Sequence, residues 1–154
     1  MTSLITPFVG LAVAPSEIGS FLGVDSLVKA GNALDATQAV RAGLPVSSLR
    51  ALRRAGFTID EIARVVGASS RTVMRHLRQR ARRLDVATSD RVVRLARMSL
   101  LASRYLGDSA RGLTWLRAPN RYLGDATPIE MMETEDGTQA VLQSLVSIAY
   151  GGVA

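Results

Sequence analysis

The sequence predicts an all-α fold, and three observations support this prediction. The 154 residues are 47% hydrophobic, which supplies enough apolar surface for a folded core. No stretch alternates apolar and polar residues for long enough to favour a β-strand, whereas several stretches repeat apolar residues at helical spacing. Glycine, proline and helix-capping residues divide the chain into segments of helix length. A chain of this length fits one ordinary domain or two very small ones.

The composition excludes several classes of functional site. The chain has no cysteine, so disulfides, thiol chemistry and cysteine-ligated metals are excluded. A single histidine, His76, rules out a histidine-rich metal centre, and no nucleophile and base are paired in a motif. No apolar run approaches the roughly 20 residues that span a bilayer. The apolar stretch from Leu4 to Ala14 is not preceded by the basic residues that a signal peptide requires. We therefore expect a cytoplasmic protein that is not an enzyme and has no cofactor, metal or membrane partner.

Residues 1–42 are predicted to form an N-terminal helical extension. Pro15 can open a short helix that reaches about Leu22, because proline is favoured at the first helical position. A second helix is expected at about 25–30 and a third at about 35–42, since a glycine follows each of them.

The strongest motif is the stretch 59–77. A capping box formed by Thr58 and Glu61 predicts the start of its first helix. The small residue Ala63 allows two helices to cross closely, and Gly67 can adopt the positive φ of a tight turn. Ser69 or Ser70 then caps a second helix. This spacing is typical of a helix-turn-helix.

We interpret residues 43–84 as a DNA-binding region. Residues 41–83 carry 11 arginines against two carboxylates, a net charge of +9, which favours contact with phosphates. The second helix of such a motif lies in the major groove with its N-terminal residues at base edges. The residues expected to contact DNA are Ser69, Ser70, Arg71, Thr72, Arg75 and Arg78. Arg71 and Arg75 can each read guanine, and the remaining arginines suit phosphate. A helical hairpin whose arginines are merely solvated is the alternative.

Two further helices flank this motif. Pro45 is expected to open a helix that reaches Ala55. Thr88 or Ser89 is expected to cap a long amphipathic helix that reaches Leu106 and is stopped by Gly107.

The last third of the chain predicts a small helical module. A short helix at 109–116 contains Trp115, the only tryptophan of the chain. Thr127 and Glu130 form a second capping box, and a final amphipathic helix is expected from about Gly137. No phosphate-binding glycine loop occurs in this module, so nothing in it indicates catalysis.

Two patterns in the chain resemble the Xre/MbcA/ParS family of antitoxins. The first is the helix-turn-helix. The second is more specific and reads WL-x-x-PN-x-x-LG-x-x-TP-x-E-x-x-x-T-x-x-G from Trp115 to Gly137, followed by Tyr150-Gly151. The resemblance covers the chain from Gly43 to Gly151.

The resemblance implies an Xre-like helix-turn-helix core followed by a small toxin-binding module. Residues 85–154 would then comprise a linker helix and a C-terminal toxin-binding domain. Members of the family are antitoxins of type II toxin-antitoxin systems. They neutralise a RES-class toxin, which consumes NAD or transfers ADP-ribosyl groups, by blocking its active site, and they repress their own operon. The expected partners are therefore a cognate RES-domain toxin and operator DNA.

The residues expected to contact the toxin come from two arguments. The resemblance implies Trp115, Asn120, Tyr150 and Gly151. Residues 122–154 also have a net charge of −5, which suits a toxin with a basic active-site mouth. This charge adds the acidic residues Glu133, Glu135 and Asp136 to the set. For Trp115 a purely structural role is the alternative.

A homodimer is expected, because one helix-turn-helix reads only a few base pairs and useful specificity needs two copies. The long helix at 89–106 and the apolar N-terminal segment are the candidates for pairing. The alternative function is a dimeric transcriptional regulator whose C-terminal domain senses a ligand or only dimerises.

Overall fold

Helices account for all the regular elements that the structure describes. The computed structural model describes residues 12–80 and 82–151. Within them the helices are α1 (Pro15–Leu22), α2 (Asp25–Val28), α3 (Ala33–Arg41), α4 (Ser47–Arg54), α5 (Ile59–Val66), α6 (Ser70–Arg78), α7 (Val86–Leu106), α8 (Ser109–Arg117), α9 (Pro128–Met131) and α10 (Glu135–Ala149), with a 3-10 turn at Arg121–Leu123. The all-α prediction is confirmed. The apolar segment up to residue 11, a candidate for pairing, lies outside the described residues.

Side-chain caps place most of the helix starts. The capping oxygens belong to Asn32, Thr58, Ser69, Asp85, Asp108, Thr127 and Thr134. Both predicted capping boxes are present. In the first, the Glu61 N–H donates to Thr58 Oγ1 over 3.1 Å and the Thr58 N–H donates to Glu61 Oε2 over 2.8 Å. These bonds satisfy backbone donors that a helix start leaves without a partner.

The predicted start of α4 at Pro45 is wrong, because α4 begins at Ser47. Pro45 instead forms an isolated antiparallel bridge with Arg83. Next to it the Leu84 N–H donates to the Leu44 carbonyl oxygen over 2.8 Å. The bridge therefore joins the two ends of the helix-turn-helix region. Because Pro45 takes part in the bridge, α4 begins two residues after it.

The predicted cap of α7 is also wrong. Asp85 Oδ1 accepts the Thr88 N–H over 2.7 Å, so the helix begins at Val86. This backbone hydrogen bond holds the pKa of Asp85 below its usual value, and nearby positive charge acts in the same direction. The Ser89 hydroxyl is fully buried and accepts the Leu44 N–H over 2.9 Å. Ser89 thus fastens α7 to the helix-turn-helix region.

Two other helices begin two residues earlier than expected, and one ends earlier. The Asn32 side chain accepts the Asp35 N–H and starts α3 at Ala33. Thr134 Oγ1 accepts the Gly137 N–H over 3.0 Å and starts α10 at residue 135. Helix α2 stops at Val28.

A single apolar core joins the described helices, and α7 lies at its centre. Val92, Leu95, Ala96, Leu101 and Ala102 of α7 are all at most 1% exposed. Helix α7 contacts α1, α3, α4 and α5 as well as α8 and α10. The N-terminal helices, the helix-turn-helix and the C-terminal module therefore share one packing element.

Helices α7 and α8 approach each other closely at Gly112. A Cβ atom on Gly112 would lie 2.8 Å from the Ser103 backbone nitrogen, closer than side-chain atoms normally come. The absence of a side chain at this position lets the two backbones meet.

The helix-turn-helix is built as the motif predicts. Ile62, Ala63 and Val66 of α5 and Val73 of α6 are buried. Gly67 directly follows α5 and has φ of +71°. This is the left-handed conformation that glycine adopts without strain. This packing leaves the opposite face of α6 exposed.

Candidate functional site

The hydroxyl groups at the start of α6 are engaged within the protein. Ser69 Oγ accepts the Thr72 N–H over 3.1 Å and lies 2.9 Å from Thr72 Oγ1. The Ser70 hydroxyl donates to Asp60 Oδ1 of α5. These three predicted DNA contacts therefore also fix the angle and start of the second helix.

The outward face of α6 carries three arginines and one methionine. Arg71, Met74, Arg75 and Arg78 are exposed and follow the i, i+3, i+4, i+7 spacing of one helix face. Within the described residues no acidic side chain pairs with these arginines. This face is consequently free to approach an anionic polymer. Sequence reasoning missed Met74 because it considered only polar side chains on this helix.

Other arginines of the basic region hold backbone groups. Arg50 Nη2 donates to the carbonyl oxygens of Leu77 and Gln79 over 2.6 Å and 2.9 Å, behind the end of α6. Arg83 Nη1 donates to the Gly43 carbonyl oxygen over 2.7 Å. The number of arginines available to phosphate is therefore smaller than the charge count indicates.

The turn after α8 is fixed by Asn120. This side chain is only 7% exposed. Its Oδ1 accepts the Tyr122 N–H over 2.9 Å, and its Nδ2 donates to Ser144 Oγ of α10 over 3.2 Å. Trp115 is half-buried and packs against the core. Both residues thus support the module from inside.

Two tyrosines are exposed on the C-terminal module. Tyr122 on the 3-10 turn and Tyr150 after α10 are each 60% exposed. Gly151 is exposed and has φ of +78°. Tyr122 was not among the predicted contacts, since nothing in its spacing distinguishes it from a residue of the core.

The acidic residues of the module pair with arginines of the preceding helices. Arg64 Nη1 of α5 lies 3.5 Å from Glu130 Oε1 and 3.4 Å from Glu133 Oε1. Arg94 Nη2 of α7 lies 2.6 Å from Glu135 Oε2. The side chains of Glu133 and Glu135 remain about half exposed, at 47% and 60%. The negative charge of the last third is therefore partly neutralised within the chain.

A bidentate ion pair joins the module to the helix-turn-helix. Arg117 Nε lies 2.6 Å from Glu61 Oε1, and Arg117 Nη2 lies 2.9 Å from Glu61 Oε2 and 2.6 Å from the Gly56 carbonyl oxygen. Burial raises the pKa of Glu61, but hydrogen bonds from Arg117 and Thr58 and the charge of Arg117 outweigh burial and lower it below its usual value. The hydrogen bond to Glu61 and the charge of Glu61 raise the pKa of Arg117. Glu61 thus caps α5 and also anchors α8.

The described residues contain no group of histidine and acidic side chains placed to hold a metal ion. None of the helices that the structure describes combines the length and apolar composition needed to cross a bilayer.

Taken together, the geometry defines a helix-turn-helix protein with a second helical module packed against it. Residues 35–97 match the family model of the antitoxin Xre-like helix-turn-helix domain. Residues 101–151 match that of the antitoxin Xre/MbcA/ParS C-terminal toxin-binding domain. The chain belongs to the Xre/MbcA/ParS family of antitoxins. The two matched segments meet inside α7.

Curated relatives and a solved structure are similar to the chain. The antitoxin Xre of Pseudomonas putida is 33% identical over 81 residues, which are 51% of each protein. The antitoxin Xre of Yersinia enterocolitica is 30% identical over 92 residues, or 59% of this chain and 62% of the relative. Each match thus spans less than two thirds of the relative's length. A chain of the crystal structure of the M. tuberculosis MbcT-MbcA toxin-antitoxin complex matches with a TM-score of 0.50 and 26% identity, covering 80% of this chain and 99% of that one.

Proposed function

We propose that this antitoxin neutralises a RES-class toxin by blocking its active site with the end of α10. The observation that carries the proposal is the exposed Tyr150-Gly151 pair, which follows a helix anchored to the module by Ser144. Tyrosine is one of the residues enriched at the energetic centres of protein interfaces. The toxin would be an enzyme that consumes NAD or transfers ADP-ribosyl groups.

The acidic residues supply the rim of the proposed interface. Asp136 is exposed, and Glu133 and Glu135 keep about half of their side-chain surface in solvent while they pair with arginines. Basic residues around the toxin's active site would also pair with these carboxylates. Such complementary charge favours fast and specific association. Trp115 and Asn120 have a supporting role in this proposal, because neither projects freely from the surface.

The toxin-binding proposal is tested by replacing one exposed tyrosine at a time. Tyr150→Ala should lose protection of cells that express the cognate toxin and should no longer co-purify with it. Tyr122→Ala is a matched control, because this tyrosine has the same exposure and lies on a different element. We expect Tyr122→Ala to protect as the unchanged chain does. Protection by Tyr150→Ala together with loss in Tyr122→Ala would place the toxin contact on the 121–123 turn instead.

The helix-turn-helix supports a second role, repression of the antitoxin's own operator as a homodimer. Its support is the outward face of α6, on which Arg71, Arg75 and Arg78 have no acidic partner within the described residues. Two copies about one DNA turn apart would read two half-sites. The match of residues 101–151 to a toxin-binding domain favours this combination over a regulator that senses a small ligand.

A further inference from the structure

The outward face of α6 contains an apolar residue, Met74, that stays partly exposed. The core contacts of α6 are made by Val73, which is 1% exposed, and by the half-buried Leu77. Met74 is 39% exposed and is not one of the buried residues of the core cluster. It lies between Arg71 and Arg75 on the same face. More than a third of Met74 thus stays in solvent among cations, and covering this remaining apolar surface with a partner would be favourable.

The hydrogen bonds at the start of α6 limit which of its side chains are available to contact DNA bases. The hydroxyls of Ser69, Ser70 and Thr72 have partners inside the turn. Base reading therefore falls mainly on the side chains that project from the outward face. With a rise of about 1.5 Å per residue, Met74 lies about 4.5 Å along the helix from Arg71 and directly beside Arg75.

The major-groove edge of DNA offers one kind of apolar group. Guanine presents two acceptors, adenine and cytosine present amino groups, and only thymine presents a methyl group, at C5. Methionine is unbranched and polarisable, so it can adapt its shape to a methyl group on a base edge. The two flanking arginines suit guanine.

We propose that Met74 reads the C5-methyl group of a thymine in the major groove, beside guanines bound by Arg71 and Arg75. This inference rests on the proposed operator binding and names the base chemistry that the same face recognises. Half-sites of the operator would then contain a thymine adjacent to guanine.

The experiment removes the methyl group from the DNA and the side chain from the protein. Duplexes are first selected by the full-length chain from a randomised pool. Each thymine of the selected site is then replaced in turn by deoxyuridine, which pairs identically and lacks only the methyl group. We expect one thymine whose replacement weakens binding about fourfold, the effect of one buried methyl group. Fluorescence anisotropy measures the affinities.

The variant Met74→Ala completes the cycle. It should bind the thymine duplex several-fold more weakly than the unchanged chain and should no longer distinguish thymine from deoxyuridine. Leu34→Ala is the control, because Leu34 is 63% exposed on α3, away from α6, and should leave the discrimination intact. Circular dichroism checks that each variant keeps its helices.

Three results overturn the inference. If the chain binds its selected duplex but every deoxyuridine is tolerated, Met74 reads no methyl group, although operator binding stands. If Met74→Ala still discriminates, another side chain makes the contact, and operator binding again stands. If no duplex is enriched from the pool, the proposed operator binding and the role of Met74 both fail.

Discussion

Arginine side chains have two separate uses in the basic half of the molecule. Arg50 reaches behind α6 and binds two carbonyl groups, so its charge stabilises the end of that helix. Arg75 projects from the same helix and has no acidic partner among the described residues. Replacing either residue removes one positive charge, but only one replacement removes a hydrogen bond of the fold.

We therefore expect the replacement of Arg50 to affect mainly stability and the replacement of Arg75 to affect mainly DNA binding. Arg50→Ala should lower the free energy of unfolding by about 1–3 kcal/mol, because part-buried carbonyl groups lose their donor. Arg75→Ala should change it by less than about 0.5 kcal/mol. Arg75→Ala should instead weaken binding to a selected duplex about tenfold, since one bidentate contact to guanine contributes ~1–3 kcal/mol. Urea denaturation and fluorescence anisotropy measure the two effects. Equal losses of stability in both variants would contradict this division of roles.

At the scale of elements, α5 depends on a carboxylate that also binds α8. Glu61 accepts the Thr58 N–H at the start of α5 and two donors of Arg117. The capping box is local, whereas the ion pair links residues 56 positions apart in the sequence. Protonation of Glu61 would weaken the capping box and the ion pair with Arg117 at the same time.

The acid dependence of stability follows from this arrangement. The pKa of Glu61 is lower in the folded protein than its ordinary value of 4.5. The unfolded chain therefore binds more protons between the two pKa values. The contribution of Glu61 is fully present above pH 4.5 and is lost as the pH falls through the folded pKa. In thermal melts between pH 3 and 6, Glu61→Gln and Arg117→Gln should each show a shallower loss of Tm on the acid side. An unchanged slope in both variants would show that the pair adds nothing to stability.

Local signals in the sequence predicted most of the helix boundaries. The capping box at Thr58 and the positive-φ turn at Gly67 depend only on residues within one turn, so they are visible without the fold. The start of α4 was missed because the partner of Pro45 is Arg83, 38 residues away in the sequence. The cap of α7 was missed because the Ser89 hydroxyl binds Leu44 instead of its own helix.

The candidate site is less predictable, for the same physical reason. Sequence spacing shows which residues share a helix face, but it does not show which face the other elements cover. Asn120 is therefore a plausible contact by pattern and a buried support in the structure. Likewise, the charge count of the last third does not reveal that Arg64 and Arg94 pair with its glutamates.

At the scale of the whole molecule, α7 joins the helix-turn-helix and the C-terminal module into one folding unit. Ser89 binds the helix-turn-helix region at one end of α7, and Gly112 packs α8 against the other end. The buried residues of both halves belong to one core cluster. A single domain of this kind generally unfolds in one cooperative step.

We therefore expect one unfolding transition for both halves. Trp115 fluorescence reports on the C-terminal module, and far-UV circular dichroism reports on all helices. Their urea midpoints should coincide. Gly112→Ala should shift both midpoints together, with a loss of about 1–3 kcal/mol from overpacking, because the added Cβ would meet Ser103. Two separate midpoints would show that the module unfolds independently.

We expect the shared core around α7 to set the lifetime of the protein under proteolysis as well. A protease that captures the unfolded chain would remove the proposed toxin neutralisation and the proposed operator binding in a single event, because the buried residues of both halves belong to one core cluster. A bound partner delays that event for both halves: a ligand at a hundred times its Kd stabilises the folded state by about 2.7 kcal/mol, which lowers the unfolded fraction roughly a hundredfold. The proposed toxin, while it occupies the C-terminal module, would thereby also protect α6, the helix proposed to read DNA, from degradation.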